Sequence, residues 1–278
     1  MEEKYIQIQG IKTRYTKSGV GFPVLAIPGL PFSLTMWHYI EPILSKTNSV
    51  YCLDLPGFAG KTDSSSKEHS IEFYVKFIDE FVKAMNIEKT NLLGHSMGGL
   101  LSLKYAKVYP QKIDKIMVMS PAYFNSDYEN KGIRRKYRRK LFSFISKNKT
   151  NPWFLDLLKN RAILTYYKYI RYPKLRTVDN NIVEKMYKEI SYMDNRSMME
   201  LVYDLLNSDF DDEFKTIQNK TLVVAGEKDN LIVPENCKIL AKNILPNAEY
   251  AIFSNGQHDF AFTQGNRLSN HIVNFFNN

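Results

Sequence analysis

The chain has 278 residues, a length that fits one large domain or a core with an insertion. Its composition, 44% hydrophobic and 13% aromatic, can supply a buried core and excludes a wholly disordered protein. The formal net charge is +9, and no uninterrupted apolar run reaches the length of a membrane span.

Strands alternate with helices along most of the chain. The first two segments alternate apolar and polar residues and predict an antiparallel hairpin, and the continuous apolar runs that follow predict strands buried on both faces. Ser70 has the position of a helix N-cap. In chain order the predicted elements are strands at 5–8, 11–15, 23–27 and 49–53, a helix from 70 to 85, strands at 91–93, 115–119, 221–225 and 250–253, and helices at 235–243 and 268–276. This α/β alternation indicates a parallel sheet with helices on both faces.

One stretch, residues 121–215, has helix-like segments and no predicted strand. An all-helical insertion within an α/β sheet predicts a cap, so we expect a core of residues 1–120 and 216–278 and a helical cap of residues 121–215. Charge is segregated within the cap, because residues 131–176 contain 15 Lys or Arg and one acid, whereas residues 177–215 contain 4 bases and 10 acids. The net positive charge of the chain is therefore a local property of the cap.

Residues 133–145 carry basic and apolar side chains at helical spacing. Attraction to anionic lipid headgroups or to an acidic substrate would explain this pattern. A cap helix with its apolar stripe on the core and a solvated basic face explains it as well, and we prefer this interpretation. No nucleic-acid-binding module accompanies the charge, so no nucleic-acid partner is expected.

The segment 94–98, Gly-His-Ser-Met-Gly, ends an apolar run and begins a helical pattern. This is a strand, a sharp turn and a helix, with Ser96 at the apex. A side chain at Gly94 or Gly98 would collide with the neighbouring strand or helix. The helix that begins at Met97 points its free N–H groups toward any negative charge that forms at the serine. In this context the serine is predicted to be a nucleophile.

A serine nucleophile needs a base, and that base needs an orienting acid. His258 follows the last predicted strand, where a loop can bring it to the site, whereas His271 lies inside the final helix. The loop after the preceding strand supplies Glu227 and Asp229, and we choose Asp229 because it lies deeper in the loop and just before an apolar anchor. The predicted catalytic residues are therefore Ser96, Asp229 and His258, in the order nucleophile, acid, base.

The oxyanion of an acyl-transfer reaction needs two backbone donors. Met97 N–H follows the nucleophile and is the first. The second is expected from the loop after the third strand, where Leu30 N–H is best placed. Gly29 allows a close approach there, and Pro28 and Pro31 stiffen the loop without removing that donor.

Other residues near these motifs have less specific roles. His95 adjoins Ser96, but adjacent residues on an elbow point in different directions, so we expect a buried scaffold histidine. Trp37, Tyr123 and Phe124 are candidates for lining an apolar acyl pocket, and core packing is the alternative for each.

Together these motifs resemble the α/β-hydrolase superfamily, specifically its capped serine hydrolases of the carboxylesterase and monoacylglycerol lipase type. The matching segments are 28–29, 54–60, 94–99, 226–229 and 256–258. The resemblance implies an eight-stranded, mostly parallel sheet, a covalent acyl-enzyme, and no metal or organic cofactor. A serine nucleophile argues against haloalkane dehalogenases and epoxide hydrolases, which usually use aspartate. The usual His-Gly of the oxyanion loop is Pro28-Gly29 here, and the usual Gly-His near the end is Gln257-His258.

The sequence thus predicts hydrolysis of a small-molecule carboxylic ester with an apolar acyl group, such as a monoacylglycerol or a lysophospholipid. The same triad could cleave a carbon–carbon bond in a β-diketone-like substrate, or an amide as an aminopeptidase. A receptor-like protein that kept the fold and lost turnover is an alternative of another class.

A cytoplasmic location is expected from two features. The first residues, Met1–Lys4, are acidic and lead into an alternating pattern, which is not that of a signal peptide. Cys52 and Cys237 are far apart in apolar segments, so reduced core thiols are expected rather than a disulfide or a metal site.

Overall fold

An eight-stranded sheet forms the centre of the molecule, seen here in a computed structural model. The structure describes residues 2–65, 67–124, 153–160 and 173–278, with positions 140, 143, 144, 147 and 162. The strands are β1 (Lys4–Ile8), β2 (Ile11–Ser18), β3 (Phe22–Ile27), β4 (Asn48–Leu53), β5 (Thr90–His95), β6 (Ile113–Met119), β7 (Lys220–Gly226) and β8 (Ala248–Phe253). Their order is β1-β2-β4-β3-β5-β6-β7-β8. The β1–β2 and β2–β4 pairs are antiparallel and the others are parallel, which confirms the expected fold class.

Helices connect these strands. The α-helices are α1 (Glu41–Leu44), α2 (Ile71–Ala84), α3 (Met97–Val108), α4 (Asn180–Ile190), α5 (Asn195–Asn207), α6 (Asp211–Phe214), α7 (Pro234–Ile239), α8 (Phe260–Thr263) and α9 (Gly265–Asn277). Short 3₁₀ helices lie at Leu34–Trp37, Pro110–Lys112, Trp153–Lys159 and Pro173–Thr177, and a π-helical turn at Leu240–Ile244. The helix predicted at 235–243 is therefore α7 continued by that turn.

The sheet separates two hydrophobic cores, as strand β3 illustrates. Leu25 and Ile27 belong to a cluster that also contains apolar residues of α2 and α3. Val24 and Ala26 belong to a second cluster, with residues of α1 and α9. Because successive side chains of a strand point to opposite faces, a strand covered on both faces needs the continuous apolar run seen in the sequence.

The α2 helix begins where its sequence predicts. Ser70 Oγ accepts a hydrogen bond from Phe73 N–H at 3.1 Å, which satisfies one free donor of the first turn. Phe77, Ile78 and Phe81 on one face of the helix are fully buried. Burial of this face against β-strand residues fixes the helix on the sheet.

Every regular element among the described residues from 121 to 215 is helical. The cap boundaries themselves stay a prediction. The amphipathic segment 133–145 lies outside the described residues except at positions 140, 143 and 144. Within the part of the chain that the structure describes, no helix is both long enough and apolar enough to cross a membrane.

The parallel strands bring three loops to one edge of the sheet. Ser96 follows β5, Asp229 lies in the loop after β7, and His258 lies in the loop after β8. The carboxyl ends of parallel strands share an edge, so these side chains can meet although they are far apart in the sequence.

Candidate active site

Ser96 occupies a sharp turn between β5 and α3, with φ of 51° and ψ of −119°. A non-glycine residue at positive φ is strained by about 1–3 kcal/mol and persists only where its surroundings hold it. Two backbone hydrogen bonds do so here. Ser96 N–H donates to the Met119 carbonyl at 2.9 Å, and the Ser96 carbonyl accepts from Ala122 N–H at 2.8 Å. The turn is therefore clamped to β6 and to the segment that follows it.

The two glycines of this turn are required by close backbone contacts. A Cβ atom on Gly94 would lie 2.5 Å from the Gly98 carbonyl oxygen and 2.5 Å from Ser102 Oγ. A Cβ atom on Gly98 would lie 2.2 Å from the Ile27 carbonyl oxygen and 2.4 Å from that of Pro28. The expected collisions with helix and strand are thus present, and no side chain fits at either position.

Ser96, His258 and Asp229 form one chain of hydrogen bonds. Ser96 Oγ lies 3.0 Å from His258 Nε2, and His258 Nδ1 lies 2.8 Å from Asp229 Oδ2. Because a carboxylate can only accept, His258 Nδ1 carries the proton and Nε2 is left to accept from the serine hydroxyl. The structure brings together the three side chains chosen from the sequence, and all three are more than nine-tenths buried.

The Asp229 carboxylate is fixed by both of its oxygens. Oδ1 accepts from the N–H groups of Leu231 and Ile232, at 2.9 and 3.0 Å, while Oδ2 faces His258. Burial raises the pKa of Asp229, but the hydrogen bond and charge of His258 and the Ile232 N–H lower it by more. The pKa therefore lies below its ordinary value, and the group is an anion that orients the imidazole.

Glu227, the alternative acid in the same loop, has a different partner. Its Oε2 accepts from the backbone N–H of Asn255 at 2.7 Å. Asn255 belongs to the loop that carries His258, so Glu227 ties the two loops together at the surface. Asp229 is the carboxylate that contacts the imidazole.

His95 is fully buried beside the imidazole of His258. Its Nε2 lies 2.7 Å from the His258 carbonyl oxygen, and the two rings are 4.9 Å apart. Burial, with a smaller effect of His258, lowers the pKa of His95 to about 3. His95 is therefore a neutral histidine that supports the backbone of His258, which agrees with the scaffold role expected for it.

The loop after β3 passes directly beside the serine. A Cβ atom on Gly29 would lie 2.9 Å from Ser96 Cβ, and the Gly29 carbonyl accepts from Phe32 N–H at 2.7 Å to close a tight turn. Leu30 lies inside this turn, and Met97 begins α3 on the other side of the serine. Within the described residues neither backbone N–H has a protein acceptor. Their role as oxyanion donors stays a prediction.

The three aromatic residues proposed for an acyl pocket differ in burial. Trp37 is fully buried in the second core cluster. Tyr123 is buried with its hydroxyl bonded to Asp211 and its ring 6.3 Å from that of Phe214. Phe124 is partly buried against the first core cluster. These positions fit core packing for Trp37 and Tyr123, and the pocket role of all three stays a prediction.

Among the residues that the structure describes, no group of three or more His, Cys, Asp or Glu side chains could hold a metal ion. Cys52 and Cys237 are buried free thiols, and burial raises the pKa of both. His271 is exposed on α9.

A buried charged cluster contacts Ser33 and Leu34, just beyond the loop after β3. Arg14 of β2 is fully buried and contacts Asp54 and Glu189. Asp54 begins the motif 54–60, for which the sequence indicates no role. Neither the position of Arg14 in a strand nor that of Glu189 in a helix marked them as partners.

Comparison with known proteins identifies the family of this fold. A family model described as alpha/beta hydrolase fold matches residues 23–264. Monoacylglycerol lipase ABHD6 of Mus musculus is 24% identical over 254 residues, which cover 91% of this chain and 74% of that protein. A 2-hydroxy-6-oxo-6-(2'-aminophenyl)hexa-2,4-dienoic acid hydrolase of Metapseudomonas resinovorans is 30% identical over 124 residues, covering 43% of this chain and 42% of the other. The crystal structure of bromoperoxidase from Bacillus anthracis has a TM-score of 0.79 at 18% identity, with 100% of both chains covered.

Proposed function

The chain belongs to the α/β-hydrolase family, and on that premise we propose that it is a serine hydrolase of carboxylic esters with an apolar acyl group. The observation that carries the proposal is the buried chain of hydrogen bonds from Ser96 through His258 to Asp229. This arrangement gives a serine hydroxyl the oriented base that it needs at neutral pH.

Acylation is the first half of the proposed reaction. Ser96 Oγ attacks the ester carbonyl carbon while His258 Nε2 takes the hydroxyl proton. The carbonyl oxygen becomes an oxyanion held by the N–H groups of Leu30 and Met97. The tetrahedral intermediate then collapses, the bond to the alcohol breaks, and His258 gives its proton to the departing alcohol.

Deacylation repeats these steps with water. His258 takes a proton from a water molecule, whose oxygen attacks the acyl carbon. The second intermediate collapses, Ser96 leaves as the departing group and recovers its proton from His258, and the acid is released. Asp229 stays an anion throughout and stabilises the imidazolium.

A monoacylglycerol or a lysophospholipid is the substrate class that we favour. Support comes from the similarity to a protein named monoacylglycerol lipase, over most of this chain. The cap rich in aromatic residues, predicted from the sequence, would supply apolar contacts to an acyl chain. A cytoplasmic location is part of the proposal, since Cys52 and Cys237 are free thiols.

Ester hydrolysis and labelling by a fluorophosphonate probe test the proposal. The purified protein should hydrolyse p-nitrophenyl esters, and comparing acyl chains of increasing length should give the preferred substrate. Ser96→Ala should abolish turnover while circular dichroism and thermal unfolding show an intact fold. A fluorophosphonate probe should label the wild-type protein at Ser96 and leave Ser96→Ala unlabelled. Absence of labelling in the wild type would favour a receptor-like protein without turnover.

Carbon–carbon bond hydrolysis is the second candidate. Its support is the partial similarity to the dienoic acid hydrolase, at 30% identity over 124 residues. The ester and the β-diketone-like substrates can be compared directly on the same preparation. A kcat/KM that is at least 100-fold higher on the diketone would replace the ester proposal.

A further inference from the structure

A buried hydrogen-bond chain links the cap to the loop that contains Leu30. Ser33 lies just beyond this loop, and its Oγ accepts from Thr35 N–H at 3.1 Å. The Ser33 hydroxyl proton is directed to Glu189 Oε2, on helix α4. Because the serine has a single proton to give, its orientation is determined by the carboxylate of Glu189.

The chain continues through two charged side chains and returns to the same loop. Glu189 Oε1 accepts from Arg14 Nη1 at 2.8 Å, and Arg14 Nε donates to Asp54 Oδ2 at 2.5 Å. Asp54 Oδ1 then accepts from Leu34 N–H at 2.6 Å. Since Ser33 and Leu34 are consecutive, the five residues Ser33, Glu189, Arg14, Asp54 and Leu34 form a closed ring, called the cap–loop ring below.

The cap–loop ring holds one guanidinium, that of Arg14, between the carboxylates of Asp54 and Glu189. Burial lowers the pKa of Arg14, but the charges of Asp54 and Glu189 raise it by more, so the guanidinium stays protonated. Glu3 also contacts Arg14, at 3.1 Å, and is itself paired with Lys61 at 2.8 Å. Removing one partner of such a buried pair leaves the other uncompensated, which makes the ring resistant to partial opening.

The ring lies three residues from the expected oxyanion donor. The loop is held at its other end by Gly29, which packs against the side chain of Ser96, and by the turn from Phe32 N–H to the Gly29 carbonyl. Leu30 therefore lies between two fixed points, one at the nucleophile and one at the cap–loop ring. An oxyanion donor displaced by as little as 1 Å loses much of its effect.

We propose that Glu189 is a positioning residue by which the cap holds the oxyanion loop in its reactive geometry. The inference rests on the proposed function, because it assigns Leu30 N–H to the oxyanion. The cap then has two roles, since it covers the site and also completes the support of a backbone donor in the core. A substrate that displaces α4 would weaken catalysis even with the triad intact.

A second contact joins the motif 54–60 of the core to the cap. Asp194 N–H, at the start of α5, donates to the Gly57 carbonyl at 2.9 Å. Gly57 has φ of 71°, and a Cβ atom there would lie 2.3 Å from Ser197 Oγ. Gly57 thus contacts α5 directly, whereas Asp54, in the same short loop, is linked to α4 through Arg14.

Two substitutions open the ring at neighbouring bonds. Ser33→Ala removes the hydroxyl and leaves the Glu189–Arg14 pair, whereas Glu189→Gln keeps the side-chain shape and removes its charge. The matched control is Asp204→Asn on α5, whose carboxylate accepts from Ile71 N–H at 2.7 Å and so joins cap to core away from the loop. Ser33→Ala deletes a polar cap–core contact, whereas Glu189→Gln and Asp204→Asn each replace a charged acceptor at such a contact with a neutral amide.

The experiment combines ester kinetics with hydrogen–deuterium exchange of the segment 29–36. We expect Ser33→Ala and Glu189→Gln each to lower kcat by about 10-fold or more with KM changed less than about 3-fold. The double variant should lose little more than either single variant, because both act through one ring. Exchange of the segment should be faster in these variants and unchanged in Asp204→Asn.

The possible results separate this inference from the proposed function. Unchanged exchange of the segment 29–36 in Ser33→Ala and Glu189→Gln would overturn the inference, whatever the activity. Faster exchange with an unchanged kcat would overturn it too, since the loop would then not need the ring. If fluorophosphonate does not label the wild-type protein, the proposed function is overturned. The exchange data alone then decide whether the ring holds the loop.

Discussion

His95 donates its Nε2 proton to the backbone carbonyl of His258 across 2.7 Å. A carbonyl oxygen can only accept, so the contact fixes the His95 tautomer. The residue before Ser96 thus holds the main chain of His258, and one turn positions two side chains of the Ser96–His258–Asp229 hydrogen-bond chain. A Cβ atom on Gly29 would lie 2.7 Å from Nδ1 of the same ring.

The first prediction concerns stability against pH. The pKa of His95 is about 3 in the folded protein and about 6.5 when unfolded. Between these values the unfolded chain binds a proton that the native state does not, so stability falls as pH drops from 6.5. The contribution is up to about 1.4 kcal/mol per pH unit. His95→Gln, which keeps a donor for the His258 carbonyl, should flatten this dependence in urea unfolding between pH 6.5 and 4.

Exposed His271 supplies the control for that measurement. His271→Gln removes a histidine from the surface of α9 and should leave the wild-type slope unchanged. Equal slopes in all three proteins would contradict the protonation state assigned to His95.

The second prediction concerns the two acids of the loop after β7. Asp229→Asn places an amide against His258 Nδ1 and favours the wrong imidazole tautomer, so kcat on esters should fall on the order of 10⁴-fold. Glu227→Gln keeps an oxygen that can accept from Asn255 N–H, and its kcat should stay within about 3-fold of wild type. Similar losses in both variants would mean that Asp229 is not the orienting acid.

The third prediction concerns the elbow glycines. Gly98→Ala should destabilise the protein by about 3 kcal/mol or more, since the backbone oxygens of Ile27 and Pro28 leave no room for a methyl group. Gly10→Ala is the control, because Gly10 has φ of 79° and no atom within 4 Å of the added Cβ. Its cost should be limited to the backbone strain of about 1–2 kcal/mol. Chemical unfolding measures the free energy of unfolding of both variants. Equal losses in the two would contradict the steric explanation.

The fourth prediction concerns the basic segment 131–176, with its 15 Lys or Arg and one acid. Because a solvated basic face is the preferred interpretation of this segment, we expect the protein to sediment equally with vesicles of phosphatidylcholine alone and with vesicles that also contain phosphatidylserine. Greater sedimentation with phosphatidylserine that falls as salt rises would contradict this expectation and indicate contact with anionic lipid.

The fold and the elbow could be predicted because their causes are local. Strand β3 is an unbroken apolar run since both faces are covered, and a run of this kind is visible without coordinates. Gly94, Ser96 and Gly98 are within five positions, so the strain and the close contacts of the turn are encoded in one short segment. Strand ends were less accurate, because pairing with neighbours extends a strand beyond its apolar residues.

Only the tertiary structure decided how the buried charges pair. The sequence already favoured Asp229 over Glu227 as the partner of His258, and the packing of the β7 and β8 loops adds the partner of Glu227, the backbone of Asn255. Arg14 and Glu189 are 175 positions apart, and no periodicity connects a strand residue to a helix residue at that separation. Local sequence determines backbone geometry through sterics, whereas the pairing of buried charges depends on where the whole chain places them.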